Sequence, residues 1–347
     1  AFCQSVIRQN FHLLDLDGRF RLGTQQEIEL LQRDVMEELF EKKYEEGAED
    51  FLAFVDAYGN ARNDEMLYEL ILSLYTFSRS QPFPEAWLVS LAGDFSLADV
   101  HALAETKWME PVQREIRRTL AACKDLMEEM MESAAVLCCE FYQPLFAKDK
   151  ELIESLEDAA QISWSALREA VFAVKFDRMN SPKGTDEAVK EIFSAKRDQL
   201  KKRIKNLKEN FFMLAEEEML ADLRGQKQLV STICALTTNF AEAFATEKRK
   251  KSLADFNDLE HFALEILRDQ EADELAPSAA AKALQARYRE VMVDEYQDTN
   301  GVQEAILSLV CRQEPGNLFV VVDVKQSIYR FRLADPALFL QKYQSYP

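Results

Sequence analysis

Two adjacent carboxylates stand out in this 347-residue chain, in the run Val293-Asp294-Glu295-Tyr296-Gln297-Asp298-Thr299-Asn300. Such a pair suits nucleotide hydrolysis. One carboxylate can hold Mg²⁺ through its water shell, while the next orients and deprotonates the attacking water and the metal and basic residues meet the transition-state charge. A bare Asp-Glu pair after a strand can also simply cap the next helix, through the amino-terminal dipole of that helix.

The elements that must position the pair are legible around it. Arg289 to Asp294 and Asn317 to Asp323 are short apolar runs rich in β-branched residues, each ending in an aspartate, and read as buried parallel strands. Val302 to Arg312 between them has helical spacing, so residues 290–323 form a strand-helix-strand unit. Its acidic residues lie at the carboxyl ends of the strands, where open α/β sheets place their ligands. Upstream of Pro277 the character differs. From residue 1 to about 250, apolar residues recur at helical intervals, as in Ile28, Leu31, Val35, Leu39 and in Leu67, Leu70, Leu74, Phe77. Thr24 followed by Glu27 fits a capping box, Pro82 and Pro84 interrupt the chain before a helical turn at Glu85 to Leu88, and Lys175 to Asp186 reads as a loop.

Nine glycines and nine prolines among abundant Leu, Glu, Ala and Lys favour helix over sheet, so the fold expected is mostly α. The length allows about two domains at roughly 150 residues each. No stretch approaches the roughly 20 apolar residues of a membrane span, and the start, Ala1-Phe2-Cys3-Gln4, has neither a basic leader nor an apolar signal core, so a cytoplasmic chain is expected. Cys3, Cys123, Cys138, Cys139, Cys234 and Cys311 lack CxxC spacing and read as reduced, buried apolar residues. His12, His101 and His261 read as structural. A net charge of −19 excludes a nucleic-acid footprint over the whole surface, leaving only local contact. Two basic stretches, Lys196-Arg197 with Lys201-Lys202-Arg203-Lys205-Lys208, and Lys248-Arg249-Lys250-Lys251, could track a DNA backbone or be solvated helix faces.

The octet from Val293 to Asn300 resembles motif II of the UvrD/Rep-type superfamily-one helicases. The run Asp323-Val324-Lys325-Gln326-Ser327-Ile328-Tyr329-Arg330-Phe331-Arg332, with Ala334-Asp335-Pro336 after it, resembles motif III in the form carried by AddA (RexA) helicase-nuclease subunits, 29 residues on from Asp294 to Asp323. Asp255-Phe256-Asn257-Asp258-Leu259 is similar to the DFxDL segment that returns from the helical insertion to the motor, and Phe2-Cys3 is similar to the tail of an HSFC-type segment. Val55 to Gly59 and Pro84 to Leu88 also look AddA-like, so the resemblance runs along nearly the whole chain, loosely until the last 60 residues.

The resemblance implies a large helical insertion domain over 1–250, with a remnant of the motor at its start, and a partial RecA-like α/β ATPase domain over 251–347. It implies ATP and Mg²⁺ as cofactors, Asp294 on the metal, Glu295 as catalytic base and Gln326 as sensor of the γ-phosphate. Tyr329, Phe331 and Arg332 would face single-stranded DNA; the physics agrees, since aromatic faces stack on bases at about 1–3 kcal/mol per base and arginine adds phosphate or cation–π contact. Without the resemblance, Tyr329 and Phe331 would read as ordinary core residues. Placing the phosphate sensor and the stacking residues on one loop would couple hydrolysis to stepping. The parent protein implied is a 3′-5′ helicase subunit that pairs with an AddB/RexB-type second subunit, loads on duplex DNA ends and serves recombinational repair.

Departures from the family pattern qualify this picture. None of the nine glycines is followed by lysine, so the phosphate-binding loop ending in Gly-Lys-Thr or Gly-Lys-Ser is not in this sequence. The expectation is a piece that begins downstream of that loop, without the second motor lobe or the nuclease domain and not turning over ATP alone. Val322 stands where the family usually has glycine before the motif III aspartate, and valine restricts close backbone approach at the entry to the loop that carries Gln326. A non-catalytic helicase-like module that binds DNA or a partner is the other reading, and an unrelated Walker-type ATPase does not account for the Gln326 to Arg332 run.

Overall fold

A computed structural model of the chain describes residues 1–14, 20–60, 63–323, 333–335, 338–339 and 342–343. The protein is mostly helical (72%), with a small amount of parallel sheet. It packs as two compact units, one of residues 1–93 with 228–347 and one of residues 94–227, so the change of sequence character after Pro277 falls inside the first.

The first unit holds helices α1 (Phe2–Asn10), α2 (Gln25–Glu46), α3 (Glu49–Tyr58), α4 (Glu65–Ser78) and α5 (Pro84–Asp94). The second holds α6 (Val100–Ala104), α7 (Met109–Val136), α8 (Gln143–Ile162), α9 (Trp164–Ala173) and α10 (Glu187–Phe211). Helix α11 (Glu216–Lys250) contributes residues to both, and α12 (Phe256–Leu267), α13 (Ala279–Arg287) and α14 (Gly301–Val310) belong to the first. Strands β1 (Arg21–Leu22) and β2 (Leu253–Ala254) form one parallel pair, and β3 (Val291–Val293) and β4 (Leu318–Val320) another.

Local sequence accounts for many boundaries. Thr24 and Glu27 form the expected capping box, Glu27 N–H donating to Thr24 Oγ1 at 3.3 Å and Thr24 N–H to Glu27 Oε2 at 3.0 Å, and Gly47 ends α2 in the left-handed region at φ +60°. The capping carboxylate also meets Arg21 at 2.6 Å, and chiefly this bond holds Glu27 down at about 2. Gly184 at φ +92° turns the loop before α10, within the expected Lys175 to Asp186 stretch.

The buried face of α4 is not the one its spacing suggested. Leu67, Ile71, Tyr75 and Ser78 are buried while Phe77 is 43% exposed, because apolar residues occupy more than one face of this helix and tertiary packing, against Phe240 and Phe244 of α11, selects among them. The second unit is organised by Phe146, Phe193, Tyr142 and Phe212, all buried, with Met127, Met130 and Leu156 around them. Each such side chain stabilises the fold by about 1.5–3 kcal/mol.

The β3–α14–β4 unit matches the expected strand-helix-strand order, with Val291 opposite Leu318, Met292 opposite Phe319 and Val293 opposite Val320. It departs in burial. Alternate side chains pack into the core formed with α12 and α14, whereas Met292 is 71% and Phe319 62% exposed, so one face of this pair is not covered by the described residues. Of the cysteines, all are free, but Cys138 is exposed and Cys3 only half-buried, correcting the expectation that all six are buried.

Candidate active site

The acidic pair follows β3 directly. Val293 C=O accepts from Val321 N–H at 2.8 Å, and Tyr296 N–H donates to Val321 C=O at 3.0 Å, so the chain between is drawn off the strand while still pinned to its neighbour. Glu295 makes that turn in the left-handed region at φ +52° and ψ +43°, a conformation that costs a non-glycine residue energy and that clusters at functional sites. A single 3₁₀ turn, Tyr296–Asp298, follows, closed by Asp298 N–H on Glu295 C=O at 2.9 Å, and Asn300 then caps α14 with Gln303 in a capping box.

This path sorts the octet by exposure. Asp294 and Glu295 are exposed, while Tyr296 and Gln297 are 2% and 1% exposed and Thr299 is buried beneath them. The carboxylates border an open cavity of about 360 Å³ shared by Asp294, Glu295, Asp298 and Thr299 and, from α1, Phe2 and Cys3. Burial, then the carboxylate of Glu260, pushes the Cys3 thiol up and keeps it protonated.

Mg²⁺ is a hard cation that takes one or two carboxylates and otherwise water and phosphate oxygen. The donors here fit it. Asp294 uses Oδ1 to accept from Glu295 N–H at 3.0 Å, and Asp298 brings a buried Oδ1 with no hydrogen-bond partner among the described residues. A group of that kind in a cavity wall is a place for a water or an ion to be met.

The turn is braced from inside. Tyr296 OH donates to Glu304 Oε2 at 2.5 Å, and Lys342 Nζ reaches Tyr296 OH at 3.0 Å and Glu304 Oε1 at 2.5 Å. Burial first, and the Glu304 contact next, push the Tyr296 phenol up to about 12. Burial works against the charge on Lys342, but its bonds to Glu304 and Tyr296 outweigh that and raise its pKa. Asp335 N–H donates to Thr299 C=O at 3.0 Å.

With the geometry in view, the model of the UvrD/REP helicase N-terminal domain matches residues 1–347. The chain belongs to that family. This member of the UvrD/REP N-terminal family is 44% identical over 358 residues to the ATP-dependent helicase/nuclease A subunit of Geobacillus kaustophilus, a match covering 100% of this chain and 28% of that protein. The protein of the same name from Geobacillus thermodenitrificans is 43% identical over 357 residues with the same coverage, and that from Lachnoclostridium phytofermentans 39% over 354 residues, covering 26% of it. The chain thus spans little more than a quarter of the length of these curated relatives.

Of the residues singled out in this UvrD/REP family member, Asp294 and Glu295 meet at one cavity; Gln326, Tyr329, Phe331 and Arg332 lie outside the described residues. The Asp255 to Leu259 run serves local structure. Asp255 and Asp258 form the capping box of α12, and both accept from the buried Lys248 Nζ, at 2.8 and 2.6 Å. Lys248 is therefore an internal partner, not a backbone-tracking charge. Arg79 adds a 3.3 Å contact to Asp258, and its carbonyl oxygen accepts from His261 Nε2 at 2.9 Å, fixing that ring as the Nε2–H tautomer. Burial, and then the charge of Arg79, lower His261 to about 4. In the other basic stretch, Arg197 is buried and Lys196, Lys201 and Lys205 each pair with a carboxylate.

Gln297, Asp298, Thr299 and Cys3 were given no role by the sequence. Gln297 and Thr299 lay inside the quoted motif without a chemical signature, and only the turn geometry reveals what they touch. Lys342 carried no signal at all, since its partners Tyr296 and Glu304 are far from it in sequence.

Proposed function

We propose that this chain is part of an ATP-dependent 3′-5′ DNA helicase subunit of a helicase-nuclease that processes double-strand ends for recombinational repair in the cytoplasm. The observation that carries the reading is the juxtaposition of Asp294 and Glu295 on one cavity at the carboxyl end of a parallel strand, with Glu295 held in the left-handed region. Residues 1–250 would supply a helical insertion and residues 251–347 part of a RecA-like motor.

In this reading Asp294 holds Mg²⁺, which when bound neutralises charge on the phosphoryl group being transferred. Glu295 accepts the proton of the water that attacks the γ-phosphorus as the bond to the ADP oxygen breaks. Asp298, whose Oδ1 has no partner among the described residues and which lines the same cavity, would order water beside them. Gln326 would sense the γ-phosphate and Tyr329, Phe331 and Arg332 would stack on and contact single-stranded DNA. An AddB/RexB-type subunit would complete the assembly at a duplex end.

The test is ATP turnover by the full-length parent with and without single-stranded DNA, in the wild type and in Glu295→Gln. DNA-stimulated turnover that falls a hundredfold or more in the variant supports the motor; no turnover in the parent, or full turnover in the variant, leaves a DNA- or partner-binding module in its place.

A further inference from the structure

We propose that Gln297 is a positioning residue for the hydrolytic step, its buried side-chain amide tying the carboxylate of Glu295 to the backbone of Asp323, where the second motif begins. The inference rests on the reading of Glu295 as the base that activates water.

The geometry is specific. Gln297 is 1% exposed, its Nε2 donates to Glu295 Oε2, and its Oε1 accepts from Asp323 N–H at 3.1 Å. A carboxylate can only accept and a backbone N–H can only donate, so the amide serves both partners in one orientation and neither if flipped. Glu295 itself is exposed on a strained turn, where a carboxylate would otherwise sample several rotamers. Among the described residues, the Gln297 amide is the side chain that fixes it.

The same turn also holds the chain beyond the second motif. Asp335 N–H donates to Thr299 C=O at 3.0 Å, and Lys342 reaches Tyr296 OH at 3.0 Å. Residues before and after 324–332 are thus both bonded to the stretch from Tyr296 to Thr299, and Gln297 is the member of that stretch that also touches the base. A displacement of Asp323 is transmitted through one rigid amide to Glu295.

The experiment uses the full-length parent in complex with its second subunit, following ATP turnover against ATP and single-stranded DNA concentration. Wild type, Glu295→Gln, Gln297→Glu and Gln297→Leu are compared. Ionised Gln297→Glu keeps the acceptor for Asp323 N–H but not the donor to Glu295. Its kcat is expected to fall tenfold or more, with the KM for ATP within threefold and the half-stimulating DNA concentration unchanged. Gln297→Leu loses both bonds, so the same fall in kcat should come with a severalfold rise in that DNA concentration. A kcat within twofold of wild type in both variants, or a raised KM with kcat intact, overturns the proposal while loss of turnover in Glu295→Gln keeps the hydrolysis reading. Full turnover in Glu295→Gln overturns that reading first. Circular dichroism checks folding, and if Gln297→Leu does not fold, Gln297→Glu decides alone.

Discussion

Arg197 and Asp149 form a two-pronged ion pair inside the second unit, Nε to Oδ2 at 2.6 Å and Nη2 to Oδ1 at 3.0 Å, with side chains only 2% and 1% exposed. The third arm of the guanidinium, Nη1, donates to Asp177 C=O at 2.6 Å and so fixes the loop before α10. Removing one partner strands the other as a buried charge. Asp149→Ala should therefore lower the unfolding free energy of this chain by about 3–5 kcal/mol, while the apolar pair Arg197→Met with Asp149→Leu should cost much less. Urea unfolding of the three forms decides it, and equal losses in the single and double variants would contradict the argument.

Lys248 offers the same test for a residue that looked like a DNA contact. Lys248→Met leaves Asp255 and Asp258, 14% and 10% exposed at their side chains, without the cation they share. Burial opposes the charge on Lys248, but Tyr75, Asp258 and Asp255 around it prevail and raise its pKa, so the cation is retained at neutral pH. The expected result is a loss of about 3 kcal/mol or more in stability, with the salt dependence of DNA binding by the parent unchanged. A shallower salt slope with unaltered stability would return Lys248 to the surface role.

His261 should make stability depend on acid. Its folded value of about 4 lies below the ordinary 6.5, so between those limits the unfolded chain takes up a proton that the folded chain refuses. Stability contributed by the neutral ring is complete above about 6.5 and is lost as pH falls toward about 4, by up to roughly 3 kcal/mol. Thermal unfolding from pH 7 to 4 should show a steeper decline in wild type than in His261→Gln; parallel curves would rule the histidine out as the cause.

Tyr296→Phe removes a hydroxyl that bonds Glu304 and Lys342 but leaves those two paired at 2.5 Å. The cost should be about 1–2 kcal/mol in stability, as for one buried hydrogen bond to charged partners. Calorimetry of the variant checks it, and a loss above about 4 kcal/mol would mean that the Glu304–Lys342 pair does not survive removal of the hydroxyl.

The strand-helix-strand unit was legible because its segments announce themselves locally, the two strands as β-branched runs and the helix by its apolar spacing. The same holds for Thr24 with Glu27 and for the break at Pro82 and Pro84. What could not be read was anything decided by contacts distant in sequence. The face of α4 was chosen by α11, and Arg197 was claimed by an aspartate 48 positions away; Lys248, claimed by Asp255 and Asp258 only seven and ten positions on, depends on how the chain turns between α11 and α12. At the site, residue type gave Asp294 and Glu295 as the chemical pair, but the left-handed turn at Glu295 and the buried amide of Gln297 arise from how the chain leaves β3.

The open face of the β3–β4 pair has a colloidal consequence. Parallel strands are normally sheltered on both sides, yet Met292 and Phe319 sit opposite each other and none of the described residues covers them, leaving a sticky spot on a polyanion of net charge −19. Two copies approaching through that spot gain apolar contact at short range but repel at long range. Salt weakens only the repulsion, whose reach shrinks from about 30 Å at roughly 0.01 M to about 3 Å at roughly 1 M. The tendency of this chain to clump is set by ionic strength, rising as the charge that keeps the molecules apart is screened.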